Sequence, residues 1–272
     1  MSLTAFSGPL TLSAAILYLL AGGLFIRRLI GKQAASTKTI WVITLCAVLL
    51  HGLVLYQQIP FLDKTTMTIT NAASLVIWVV VMLFLLSNLI RPVGNLGALL
   101  MPIAATILIL YWIWPLDQED MPARSNPLFV IHLAIALLGY AFLALSALQA
   151  LLLMIQDRRL QLHHPGHLLR GLPPIETMDR LLFQLISIGF VFLSLTIVSG
   201  IFFTEQIFGA PLVFNHHTVL AIIGWGVFAT LLVGRWGFGW RGRQAAVWTL
   251  VGFVVLLLGY FGTKFVAEVL LN

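Results

Sequence analysis

Eight stretches of this 272-residue chain each supply the roughly 20 mostly apolar residues that crossing a bilayer core requires. They run over about 9–29, 40–58, 69–90, 94–114, 127–155, 181–204, 217–234 and 246–270. Hydrocarbon offers no partner for backbone N–H and C=O groups, so a spanning segment must be a helix or part of a closed barrel. The stretches are continuously apolar and lack the alternation of barrel strands. The expected fold class is therefore all-α: a polytopic membrane helix bundle of eight transmembrane helices, forming a single membrane domain over 1–272. Composition agrees, with 60% hydrophobic and 9% charged residues, against about 25% charged in an average soluble domain.

The charges that remain are unevenly shared between the two sets of connections. One set holds Arg27, Arg28, Lys32, Lys38, Arg91, Arg158, Arg159, Arg170, Arg180, Arg235, Arg241 and Arg243, twelve of the 15 basic residues. The other set, with the two ends of the chain, holds Lys64, Arg124 and Lys264 together with Asp63, Asp117, Glu119, Asp120, Glu205 and Glu268. Cytoplasmic loops are the basic ones, so the first set is expected inside and both termini outside. The first apolar run has no basic residue before it and Arg27-Arg28 after it, so it reads as a retained helix and not a cleaved leader. The net charge of +6 is thus an orientation device facing anionic lipid headgroups, and no nucleic-acid partner is expected. The single cysteine, Cys46, excludes an internal disulfide framework and a Cys-rich metal site.

Ionisable groups within spans are few, and such groups are commonly functional. His51 falls in span two and His132 in span five, while His216 and His217 open span seven. The loop charges place His51 roughly 10 Å and His132 roughly 8 Å below the outer surface, at 1.5 Å per helical residue. The remaining histidines, His163, His164 and His167, share one inner loop and read as a solvated segment. A neutral imidazole is tolerable in a membrane and is the commonest metal ligand; haem iron is commonly held by it. Apolar helices suit a flat macrocycle, and Arg124 is a candidate partner for its propionates. Tyr56, Trp112, Trp114, Phe202, Phe203 and Phe214 are candidate aromatic lining. The competing reading for each intramembrane histidine is an interhelical hydrogen bond. No nucleophile elbow, zinc-protease motif or phosphate-binding loop is present, and no span contains a pair of carboxylates, so no catalytic residue is assigned and no enzymatic activity is expected.

The second half of the chain carries a combined pattern. Residues 181–204 read LLFQLISIGFVFLSLTIVSGIFFT, span seven contains WGVFATLLVGRW, and GWRGRQAAVWTLVGF and YFGTKF follow. Span five reads HLAIALLGYAFLALSALQALLLMIQDRRLQ, with His132 eight residues before Tyr140. Over about 127–266 this order resembles the cytochrome c assembly (CcsA-like) family of integral membrane proteins, and the first four helices resemble it in general character. The resemblance implies a haem-handling protein of the bacterial cytoplasmic (inner) membrane, and His132 matches that family's outer-side haem ligand. Members that attach haem to cytochrome c carry a tryptophan-rich outer loop, whereas here the stretch after Glu205 is QIFGAPLVFNHH. Val233 or Gly234 stands where the family has a histidine, and the sequence closes on EVLLN without the family's last outer histidine. The His217-Thr218 pair instead resembles a shorter, HemX/YpjD-like branch.

The expectation drawn from the resemblance is a haem-binding accessory protein in cytochrome assembly that makes no covalent bond itself. One haem b near the outer face would have His132 and His217 as axial ligands, with His51 as third candidate or supporting residue and His216 and Arg124 beside them. Its partners would be haem, the lipid bilayer and cytochrome assembly proteins. A regulatory or scaffold protein without haem, acting through the basic inner loops, is the alternative. A small-molecule transporter has only Pro102 and Asn88 to suggest it.

Overall fold

The computed structural model describes residues 7–32, 35–58, 68–90, 94–114, 127–162, 171–208 and 216–266. Every regular element among them is helical. They are α1 (Ser7–Leu29), α2 (Thr37–Gln58), α3 (Ile69–Ile90), α4 (Gly97–Ile113, entered through the 3-10 turn Gly94–Leu96), α5 (Pro127–Gln161), α6 (Ile175–Phe208), α7 (His216–Phe238) and α8 (Gly242–Leu257). The chain continues from α8 through a π-helical turn, Leu258–Gly262, into Thr263–Phe265. Eight helices are long and apolar enough to cross a membrane, matching the expected class and count.

Helix ends differ from the apolar stretches in a consistent way. Charge stops a hydropathy window but does not stop a helix. Gln156, Asp157, Arg158 and Arg159 continue α5 to Gln161, and α6 begins at Ile175, directly after Pro174, whose carbonyl accepts from Met178 N–H. Proline lacks the N–H that a first helical turn leaves unused, so it is favoured there. At 35 and 34 residues, α5 and α6 are each about 50 Å long, well beyond a hydrocarbon core of about 30 Å. Helix α7 runs to Phe238 and is stopped by Gly239, whose φ of 67° suits glycine.

The chain divides into two compact units, Met1–Met121 with Arg159–Leu172, and Pro122–Arg158 with Pro173–Asn272. In the first, α1 packs on α2 and α4, and α3 packs on α2 and α4, closing a four-helix ring. Its interior is apolar, with Ala14, Ala21, Val48, Leu100, Met101, Ala104 and Leu108 at or near zero exposure. An aromatic cluster fills one layer, where Trp41 stacks on Phe84 and Phe25 meets both edge-on.

In the second unit α5 and α6 run antiparallel in close contact. A Cβ on Gly189 would sit 2.8 Å from Leu143 Cγ, and one on Gly139 would sit 3.3 Å from the Leu193 backbone nitrogen. Small residues allow this approach where no hydrophobic force draws helices together in lipid. Phe142 and Phe192 stack beside the glycines. Further along, Gln149 donates to Met178 O and Gln156 to Pro173 O. Helix α7 packs on α6 and α8.

One end of this unit is fixed by a buried carboxylate. Asp179 Oδ1 accepts from the Gly242 N–H at the start of α8, and its Oδ2 lies 2.8 Å from Arg235 Nη1. The same guanidinium donates to Trp240 O and lies over the Phe183 ring, 4.3 Å from its centroid. Asp179 on α6 thus ties down the α7–α8 connection. Removing either charge would strand the other, a loss of about 3–5 kcal/mol for a buried pair.

Candidate functional site

The opposite end of the second unit gathers the beginning of α5, the end of α6, the beginning of α7 and the end of α8. His132, one turn into α5, is half-buried, and its Nδ1 lies 2.8 Å from Ser199 Oγ on α6. The Ser199 hydroxyl donates to Thr196 O. Ser199 Oγ thus sits between Thr196 O and His132 Nδ1, and the His132 tautomer sets which of Ser199 and the imidazole donates. Gly200 lies next to the His132 ring, where a Cβ would make ordinary contact at 3.4 Å from His132 Cε1.

His217 is in the first turn of α7, and the imidazoles of His132 and His217 are close enough to act on one another electrostatically. Tyr260 from the π-helical turn meets the His217 ring edge-on, with centroids 5.9 Å apart, and lies 6.2 Å from the Tyr140 ring. Tyr140 donates to Leu256 O, so α5 is pinned to α8 just before the turn widens. A π turn inserts one residue into a helix and re-aims the side chains around it, and such turns are frequent at functional sites. Here it brings Tyr260 onto His217. Gly259, also in the turn, lets α7 approach, since a Cβ there would be 3.1 Å from Leu220 Cβ.

His216 and His217 are both exposed at the start of α7, and of the two it is the His217 ring that Tyr260 meets. His51 belongs to the first unit. It is fully buried, with Nδ1 at 3.2 Å from Tyr18 Oη and Nε2 at 2.9 Å from Ser74 Oγ. Both ring nitrogens are engaged, joining α1, α2 and α3, which is the interhelical hydrogen-bonding arrangement. Arg124, Phe214 and the inner-loop His163, His164 and His167 lie outside the described residues, as does the side chain of Phe203. Of the other aromatic candidates, Tyr56, Trp112 and Trp114 are in the first unit, and Phe202 on α6 is exposed.

Three residues at this site, Ser199, Tyr140 and Tyr260, carry its geometry without having been singled out as site residues by the sequence. Tyr140 and the YFG segment stand in the family-like pattern, the one signal that marked them. Ser199 is a hydroxyl in an apolar run, of the kind that most often bonds its own helix, as Ser187, Ser194 and Thr196 do here. Among the described residues, no three His, Cys, Asp or Glu side chains converge to hold a metal ion. A metal bound here would take two protein nitrogens and draw its other ligands from elsewhere.

Comparison with known proteins places the pattern. Residues 42–271 match the family model described as cytochrome c assembly protein. The chain is 28% identical over 267 residues to the inner membrane protein YpjD of Escherichia coli K12, covering 95% of this chain and 98% of that one. It is 29% identical over 197 residues to the cytochrome c biogenesis protein CcsA of Prochlorococcus marinus strain MIT 9515, covering 65% and 63% of the two chains. The CcsA of Chlamydomonas reinhardtii is 28% identical over 148 residues, covering 54% and 41%.

Proposed function

Because this chain belongs to the cytochrome c assembly protein family, we propose that it is a haem-binding accessory protein of cytochrome c assembly, holding one haem b between His132 and His217. It is a multi-pass protein of the bacterial inner membrane, a placement supported by its eight apolar helices and by the inner-membrane relative that it matches almost end to end. The basic connections face the cytoplasm, so the His132–His217 end and both termini face outward and the haem lies near the outer leaflet.

The observation that carries the reading is the convergence of two imidazoles, His132 from α5 held at Ser199 and His217 from α7 met by Tyr260, at one end of the second unit. The residues present fit the group. Two histidines are a complete axial donor set for haem iron, whose four remaining ligands are the porphyrin's own. That matches a site with two convergent imidazoles and no third ligating side chain among the described residues. His132 has, at Nδ1, a polar partner of the kind that a ligating imidazole normally keeps on its second nitrogen, Ser199 Oγ at 2.8 Å. Tyr260 braces the His217 ring. When bound, haem supplies a redox-active iron. In this reading the protein's residues bind and orient it, and the chain makes no covalent bond itself. Cytochrome assembly proteins are its partners.

The variants His132→Ala and His217→Ala test the pairing. Each is expected to turn a six-coordinate low-spin haem into a high-spin one, read by absorption and electron paramagnetic resonance, while His51→Ala leaves the spin state unchanged. Low-spin haem persisting in both site variants would remove the assignment.

A further inference from the structure

The end of the last helix places a cation beside the two imidazoles. Lys264 follows Tyr260 by four residues, through the π-helical turn Leu258–Gly262 and into Thr263–Phe265. Four residues rotate an α-helix by about 400°, a little past one full turn, so positions four apart share a face. The wider π turn shifts that angle only modestly. Lys264 therefore stands on the face of this segment that carries Tyr260 onto His217, about one turn nearer the helix end. Thr263 holds the backbone between them, its Oγ1 donating to Gly259 O and lying 3.0 Å from Tyr260 O.

Burial agrees with this placement. Phe265 and Val266 are 43% and 45% exposed, whereas Lys264, directly before them, is the more sheltered residue. A lysine at a helix end ordinarily extends its ammonium to the surface. Here the apolar pair takes the outward positions, where lipid suits it, and the lysine takes the protein side. Among the described side chains at this end of the second unit, Lys264 is the only Lys or Arg. It supplies, within the described residues, the cation for which Arg124 was the sequence candidate.

Resting on the haem reading above, we propose that Lys264 is a carboxylate-binding residue of this site and receives one propionate of a haem held by His132 and His217. A propionate is an anion, and an anion directed inward along the helices would meet apolar packing, where an uncompensated charge is costly. The propionate edge of the ring therefore belongs toward the membrane face, which is the direction in which Lys264 lies from Tyr260 and His217. An ammonium on a flexible stem offers three donors and adapts to a carboxylate without the fixed fork of a guanidinium. Lys264 is already engaged within the chain, so a propionate competes for it and the gain in affinity is moderate. The site then selects iron porphyrins with a free carboxylate over neutral ones.

Titration of the purified full-length protein with two iron porphyrins tests this: haemin, and haemin dimethyl ester, whose propionates are neutral. Lys264→Met is expected to weaken haemin binding about 10-fold and to leave the ester's affinity unchanged, while Lys264→Arg keeps most of the haemin affinity. A Met variant that binds haemin as the wild type does overturns the proposal. So does equal weakening for both porphyrins, which would make Lys264 a support of the fold. Carbodiimide coupling gives a second readout: a haem carboxylate in contact with the amine should become an amide on the peptide containing Lys264, found by mass spectrometry, and coupling that spares Lys264 contradicts the contact. The two readings fail differently. Wild-type protein that takes up neither porphyrin removes haem binding altogether, whereas a low-spin haem that is indifferent to Lys264 removes only the propionate contact.

Discussion

At the scale of single residues, the site rests on the hydroxyl of Ser199. Its oxygen lies within hydrogen-bond distance of both Thr196 O and His132 Nδ1, so it links the imidazole to α6. Ser199→Ala is therefore expected to weaken haem binding by about 10–100-fold, the usual cost of losing the partner that orients a ligating histidine. Ser199→Thr should restore most of the affinity. Haemin titration of the purified variants measures both; an alanine variant with wild-type affinity would show that Ser199 does not orient the ligand. The histidines themselves were legible in the sequence, because ionisable groups in apolar spans stand out by type and position. Their environments were not. His51 and His132 look alike as isolated histidines in membrane spans, yet one joins Tyr18 and Ser74 and the other meets Ser199 beside a second imidazole. That difference depends on Tyr18, Ser74 and Ser199, which lie 33, 23 and 67 residues away in the chain.

At the scale of elements, helix number and type followed directly from hydrophobic length, since backbone groups in hydrocarbon have so few solutions. Helix ends were less legible: the apolar stretches began at 181 and stopped at 234, whereas α6 starts at Ile175 after Pro174 and α7 runs on to Phe238 before Gly239. Where a helix continues through charged residues, as in α5 past Ile155, hydropathy stopped short while helix propensity carried on. The π turn at Leu258–Gly262 had no hydropathy signature either, because it changes the phase of side chains and not their polarity. Arg235 shows the same limit. Its charge reads as one of the inner-loop markers, yet the side chain is 21% exposed and paired with Asp179, so it also holds α6, α7 and α8 together. The orientation proposed above rests on the charges of the connections between elements. In a Cys46→Ser background, a cysteine placed at His216 is expected to react with an impermeant maleimide in intact cells, and one placed at Lys32 only after lysis. The reverse pattern would invert the assigned orientation.

At the scale of the whole molecule, the chain consists of two four-helix units with different contents. The first keeps its one described histidine inside a hydrogen-bonded chain, and the second brings two histidines to one end and ties its other end with a buried ion pair. Family membership was legible in the order of motifs along α5 to α8, and the family model extends it back to residue 42. The absorption spectrum of the full-length protein purified from haem-replete cells tests this account most directly. It should show a Soret band and, on reduction, the resolved α and β bands of a low-spin, bis-histidine haem b, extractable by acidic acetone because no covalent bond holds it. A colourless protein that also fails to bind added haemin would contradict haem binding at His132 and His217.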